Sequence, residues 1–372
     1  MGTIRYLSGI ICMVLVTTFT ACSAQNPGDR QVIEKTGKTI TVLDKSTEPV
    51  YSDVTLDKID TFEGVRGTDW LDDNTIMIYK ENKTQKQMVV EGQKMYPRNL
   101  YLVDLKTKEE KIIDSKPYNQ TFARFSPNKR NIFYKQNIEE DFTGYILNME
   151  SKVNIRITEI SDIVFYDGSW VDNDIVVFPD MKGNIQLVNV NGRVEATYKT
   201  SQAGKNSVIN TYKLDNRIYY TTHYGQMYVM NIDTMETKNV KDKVVWLVPS
   251  PDSKIFAMVK QTGQTKRALV LTDLEGNEKS SVIAEGTQIF NASWSPDQTK
   301  LAYTVISDTG TSRGLFVSDI KTQKVTQLLT DIDFSPDALT WSPSGKKILV
   351  SAVITSKGQG LPEIKTYVVT LK

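Results

Sequence analysis

Past the first four dozen residues, apolar positions fall in short runs and alternations cut by Gly, Asn, Asp, Ser and Pro, with almost none of the three-to-four spacing of an amphipathic helix. That punctuation predicts an all-β chain with many turns. Two units recur. The first is an aromatic, a Ser-Pro-type turn, a polar tip and an apolar strand: RFSPNKRNI at 124–132, VPSPDSKIF at 248–256, SWSPDQTKL at 293–301 and TWSPSGKKI at 340–348, with looser copies at 69–77, 169–177 and 211–220. Its anchors are Trp70, Phe125, Trp170, Tyr212, Pro249, Trp294 and Trp341, spaced by 55, 45, 42, 37, 45 and 47 residues. The second is a strand running into a turn, such as LYLVDLKTKE at 100–109 or LFVSDIKTQK at 315–324. Six of its seven copies place Asp or Asn at one register: Asp104, Asn148, Asn189, Asn231, Asp273 and Asp319. A short polar side chain there can accept hydrogen bonds from backbone amides of the turn that follows.

Both patterns count to seven, and each unit offers four strands, which is the content of a propeller blade. The expected fold is therefore a single β-propeller of seven blades, each with four antiparallel strands, with six blades as the alternative count. Trp70, Trp170, Trp294 and Trp341 are expected between stacked blades as core. The last unit stops after its third strand, and an open edge invites pairing with other chains. Residues 39–44 (TITVLD) are expected to supply the missing outer strand, so that an N-terminal segment closes the ring.

The repeated aromatic-Ser-Pro-Asp signature resembles the TolB-type and WD40-like β-propeller repeat, over about residues 40–372. Many TolB-type propellers have six blades, so a count of seven departs from that pattern. The resemblance implies a scaffold on which many functions are built, and the fold alone does not choose among them.

The N-terminus changes the picture from fold to location. Residues 6–21 are apolar to small, with Arg5 before them, too short to span a bilayer as a relaxed helix and fitting a secretory signal. Phe19-Thr20-Ala21-Cys22 resembles a bacterial lipobox, in which the cysteine is acylated and becomes the mature N-terminus. The expected organisation is a signal peptide at 1–21, a lipid-anchored polar tether at 22–38 and the propeller at 39–372. The protein would then sit on the extracytoplasmic side of the cell membrane, held by the lipid on Cys22. Cys12 would leave with the signal, so no disulfide would form in the mature chain.

Lys and Arg total 45 against 44 Asp and Glu, which argues against nucleic acid as a partner. The single histidine, His223, offers neither a metal cluster nor an acid–base pair, and no Cys-based metal site is possible. Gly310-Thr311-Ser312-Arg313-Gly314 has the spacing of a nucleophile elbow, but it falls between two predicted strands, with the only histidine ahead of it. Asp72-Asp73 and the Asp172/Asp174 pair read as turn formers, and Glu139-Glu140-Asp141 as a charged loop. No calcium loop is present. The expectation is a protein that is not an enzyme and carries no cofactor or metal.

What remains is a binding surface. Connections from second to third strands share one face with those between blades. Three of them are long: 80–99, 135–144 and 353–365, on the first, second and seventh blades, which ring closure makes neighbours. Met95, Tyr96, Arg98, Tyr118, Phe142 and Leu361 are the candidate anchors for a partner on this raised wall. The expected function is protein–protein binding at the cell envelope by a monomer. A carbohydrate-active enzyme using two spatially paired carboxylates, or another propeller enzyme, or a small-ligand sensor using the central channel, is the alternative.

Overall fold

A computed structural model describes residues 30–35, 38–43, 54–90, 92–138, 141–159, 168–201, 208–307, 313–330, 333–334, 339–354 and 363–372. Every regular element among them is a strand, and seven antiparallel sheets radiate as the blades of a propeller. The first blade orders Arg66–Asp72, Thr75–Glu81, Arg98–Asp104 and Glu110–Asp114 from the inside out, and the next five repeat that order. Seven hydrophobic clusters fill the seven spaces between neighbouring blades, which decides the count against six.

The two sequence signatures account for how the ring holds. Indole nitrogens reach across to the backbone of the preceding blade: Trp70 to the Thr340 carbonyl at 3.2 Å, Trp170 to Arg124 at 3.1 Å, Trp294 to Val248 at 3.4 Å and Trp341 to Ser293 at 2.9 Å. Trp70, Trp294 and Trp341 are buried, whereas Trp170 is half-buried against the second–third blade cluster. Each indole thus adds a directed bond to a large buried apolar area. The register of Asp and Asn acts as expected. Asp104 accepts from the amides of Lys106 and Thr107 at 2.7 and 2.8 Å, and Asn189, Asn231, Asp273 and Asp319 make the same kind of turn.

Ring closure uses an N-terminal strand, but a later one than expected. Leu56–Glu63 pairs with Glu363–Leu371 as the outer strand of the seventh blade. Residues Lys38–Leu43 instead pair with Arg30–Lys35 in a separate hairpin, beside the outer strand Val325–Thr330 of the sixth blade. The reason lies in the register. Leu56 and Ile59 pack on the sixth–seventh blade cluster, and the chain then needs only the turn at Gly64 to enter the first blade. The Gly64 amide donates to the Ile364 carbonyl at 2.8 Å, and its φ of 69° suits glycine.

The seam between blades seven and one is further closed by buried hydroxyls. The Gly67 amide donates to Ser351 and Thr366 hydroxyls, both at 2.9 Å, and Thr366 donates to the Val65 carbonyl at 2.8 Å. A Cβ on Gly67 would lie 2.8 Å from Leu349, so the close approach requires glycine.

The second expected loop is also revised. Residues 135–144 belong mostly to the strands Asn131–Ile138 and Asp141–Asn148, paired up to Ile138 with Asp141. All but two residues of this segment thus belong to the paired strands, and the long connection expected here is mostly ladder.

Candidate functional site

The connections leave two unlike faces. First-to-second and third-to-fourth connections form a turn face. Second-to-third and inter-blade connections form a loop face. On the loop face, above the closure seam, lies a groove of about 920 Å³ between the seventh and first blades. Its walls are the ends of five strands and the start of the 82–97 connection, and eight of its lining residues are charged: Glu63, Lys80, Glu81, Lys83, Arg98, Glu110, Glu363 and Lys365.

Strand register explains the charge pattern. On the seventh blade Glu63 faces Lys365 across the sheet, and Lys365 binds Glu63 at 3.3 Å and Glu363 at 3.4 Å. Burial would lower the Lys365 pKa, but its bonds to the two carboxylates more than offset this and hold the amine above its ordinary value. On the first blade Lys80 pairs with Glu110 and lies 5.0 Å above the Tyr101 ring. Burial and the nearby Glu110 carboxylate raise the Tyr101 phenol. Glu81, Lys83 and Arg98 form no ion pair among the described residues, so their charges remain available to a ligand.

The wall next to Arg98 has a fixed base. The Asn82 amide donates to the Pro97 carbonyl at 2.8 Å, closing the neck of the connection. Buried Asn82 donates through its side chain to Asn99 at 2.8 Å and to Ser115 at 3.0 Å, and accepts from the Thr84 hydroxyl at 2.7 Å. Asn99, fully buried, donates to the Tyr118 carbonyl at 3.1 Å and accepts from the Lys116 amide at 3.2 Å. Above this base a small hairpin, Met88–Val90 with Gln93–Met95, projects with Val89 61% exposed. Tyr224, 74% exposed, and Met181 stand on the loop-face turns of blades four and three. A second cavity, about 400 Å³, lies on the turn face between blades two and three, where Asn131 and Asn148 already bond to each other at 3.0 Å.

The candidate anchors distribute unevenly. Met95, Tyr96, Arg98 and Tyr118 are half-buried around the 82–97 connection and the 115–118 link, and Arg98 alone of them lines the groove. Phe142 is half-buried in the cluster between blades two and three. Leu361 and Cys22 lie outside the described residues, as do 308–312. Gly314 itself sits in the strand Arg313–Asp319, where a Cβ would meet the Leu329 carbonyl, so its glycine has a packing reason. The groove residues on the seventh blade were not legible from sequence: Glu63 and Lys365 are about three hundred positions apart, and only the ring brings them together.

No family model and no curated protein matches this chain. Among solved structures it resembles an oligogalacturonate lyase from Vibrio parahaemolyticus, with a TM-score of 0.60 and 15% identity over 92% of this chain and 96% of that one. A second oligogalacturonate lyase, in complex with manganese, gives a TM-score of 0.55 and 15% identity over 85% and 98%. TolB from Acinetobacter baumannii aligns with a TM-score of 0.46 and 13% identity over 80% and 64%. The two lyases share the propeller fold over nearly their whole length.

The lyases overturn the expectation that the chain is not an enzyme, because that expectation drew on residue counts and turn readings while this architecture also houses catalysis. At 15% identity the likeness carries the fold and assigns no activity. Nor do the described residues fit a manganese ion: no group of three or more His, Cys, Asp and Glu side chains converges among them, and His223 stands exposed on a turn.

Proposed function

We propose that this chain is a recognition module of the cell envelope, anchored by acylation of Cys22, that takes a protein partner on its loop face across the groove between blades seven and one. The observation that carries the reading is the groove itself. It combines charges held in internal pairs, which add little to stability when exposed, with Glu81, Lys83 and Arg98, which form no ion pair among the described residues. Charges placed this way steer and select a partner more than they bind it. The projecting hairpin with exposed Val89 offers the apolar contact beside them. A rigid base under such a segment lowers the ordering cost of binding.

Crosslinking from intact cells tests this, with the wild-type chain set beside one carrying Lys83→Glu and Arg98→Glu. A defined partner captured by the first and lost by the second is the expected result. Equal capture by both would remove the groove from the interface.

A second reading follows from the lyase likeness together with Lys83 and Arg98 in one groove: an acidic oligosaccharide would place its carboxylates against these two cations. Incubation with oligogalacturonate would then give saturable binding, or an unsaturated product detected by its ultraviolet absorbance. Neither signal would leave the protein-partner reading alone.

A further inference from the structure

The turn face is built mostly from connections of two to five residues, yet its charge is unevenly shared. Counting the residues that join first to second and third to fourth strands, blades six, seven, one and two carry eight Lys and Arg against four Asp and Glu. Blades three, four and five carry three against eight on the same kind of connection. Ring closure makes the first set contiguous. Lys106, Arg130, Lys152, Lys321 and Lys346 are all exposed within it, while Asp172, Asp215, Asp233 and Glu275 are exposed in the other half. An overall charge of +1 therefore hides a face split into a basic and an acidic half.

The chain reaches the propeller in the basic half. Leu56 opposes Leu371 at the turn-face end of the seventh blade, and the Lys372 amide donates to the Thr55 carbonyl at 2.9 Å. The hairpin of Arg30–Lys35 and Lys38–Leu43 lies beside the sixth blade, at the edge of the same half. From Cys22 to Arg30 the chain spans eight residues, which can reach at most about 25–30 Å.

We infer that the basic half of the turn face lies against a lipid surface bearing anionic headgroups, so that the loop face and its groove point away from the membrane. Clustered Lys and Arg are drawn to such a surface, and the attraction fades within a Debye length. A run of exposed basic side chains spread over four adjacent blades can meet many headgroups at once. The anchor part of this inference rests on the acylation of Cys22 proposed above, and the charge asymmetry stands apart from it.

Amine acetylation read by mass spectrometry tests the orientation on the full chain in vesicles of phosphatidylglycerol and, separately, of phosphatidylcholine. Lys106, Lys321 and Lys346 are expected to react severalfold more slowly on phosphatidylglycerol. Lys83 on the loop face and Lys254 in the acidic half should react equally on both. Raising salt to about 1 M, where the Debye length falls to about 3 Å, should erase the protection. The triple variant Lys106→Glu, Lys321→Glu, Lys346→Glu should lose protection of neighbouring Lys108 and Lys152 while staying vesicle-bound. Even labelling of both halves, or protection of Lys83, would overturn the orientation. The same digest reports the mass of the N-terminal peptide. An unacylated Cys22 would overturn the anchor and this face's route to the lipid, whereas an acylated Cys22 with even labelling overturns the orientation alone.

Discussion

The two faces of this propeller treat polar side chains in opposite ways. On the turn face almost every Asp, Asn and Ser is engaged by the backbone beside it: Asp319 accepts from Thr322 at 2.7 Å, and Ser295 and Asp297 bond to each other at 2.6 Å before capping the same turn. The pattern repeats blade after blade. On the loop face the described connections are more varied, and only the glycine turns of blades three and four match. Blade one has a closed-neck connection with its own hairpin, blade two strands paired as far as Ile138 and Asp141, and blades three and four tight turns carrying Met181 and Tyr224. A repeated solution marks a structural requirement that every blade shares. An unrepeated one has no such requirement behind it, and it is on loops of that kind, held by a rigid scaffold, that specific function is built.

Substitutions can break that contrast in order of size. The largest effect is expected at the struts that both faces share. Trp70→Ala should cost about 3–5 kcal/mol, as large aromatic deletions in cores do, and calorimetry would show the lowered midpoint. Next comes Asn99→Ala, which strands the Lys116 amide and the Tyr118 carbonyl. Leaving buried polar groups unpaired costs about 1–3 kcal/mol, and here the loss should come with faster hydrogen exchange confined to 82–97 and 115–118. If exchange rose evenly around the ring, the idea of a locally pinned loop base would fail.

Smaller still is the acid response of the turn face. Asp104, Asp252, Asp297 and Asp319 are all held below the ordinary carboxylate value. For Asp104 the cause is the Thr107 amide, and for Asp252 the Ser250 hydroxyl. For Asp297 burial would raise it, but the bonds from Ser295 and Thr299 together with Lys300 more than offset that, and for Asp319 the Thr322 amide leads. Asp273 sits at about 2: burial would raise it, but Lys279 and the bonds from Asn277 more than offset that. Folded values below the unfolded value of 3.8 mean stability that is complete above that pH and lost as pH falls toward about 2. Denaturant melts between pH 5 and 2 should show this decline, and Asp273→Asn should shrink it. The smallest effect is expected at the groove: Arg98→Glu should change stability by no more than about 0.5 kcal/mol, as surface substitutions do, while altering partner capture. A large loss of stability would mean that Arg98 is structural.

Much of this architecture is legible in the chain because it is periodic. The aromatic anchors, the Ser-Pro turns and the Asp/Asn register announce themselves seven times, and each acts through neighbours within a few residues or through apolar bulk that any neighbouring blade can receive. The closing strand was harder to read. TITVLD alternates as a strand should, but the segment that joins the seventh blade is LDKIDTFE, whose burial pattern is less regular because only one of its edges is paired. The segment around Phe142 misled for the opposite reason: acidic residues at 139–141 resemble a loop, whereas the ladder continues to Ile138 and Asp141.

Sequence alone therefore determined that the chain is a propeller and which residues make its turns, since both depend on local bonding repeated along the chain, and it pointed to seven blades that the seven inter-blade clusters then fixed. Only the tertiary structure decided where the ring closes, that Glu63, Lys80, Arg98 and Lys365 share one groove, and that the charges of the turn face divide into two halves. Those features belong to residues brought together by closure of a circle, and a linear pattern carries no trace of which of its ends will meet.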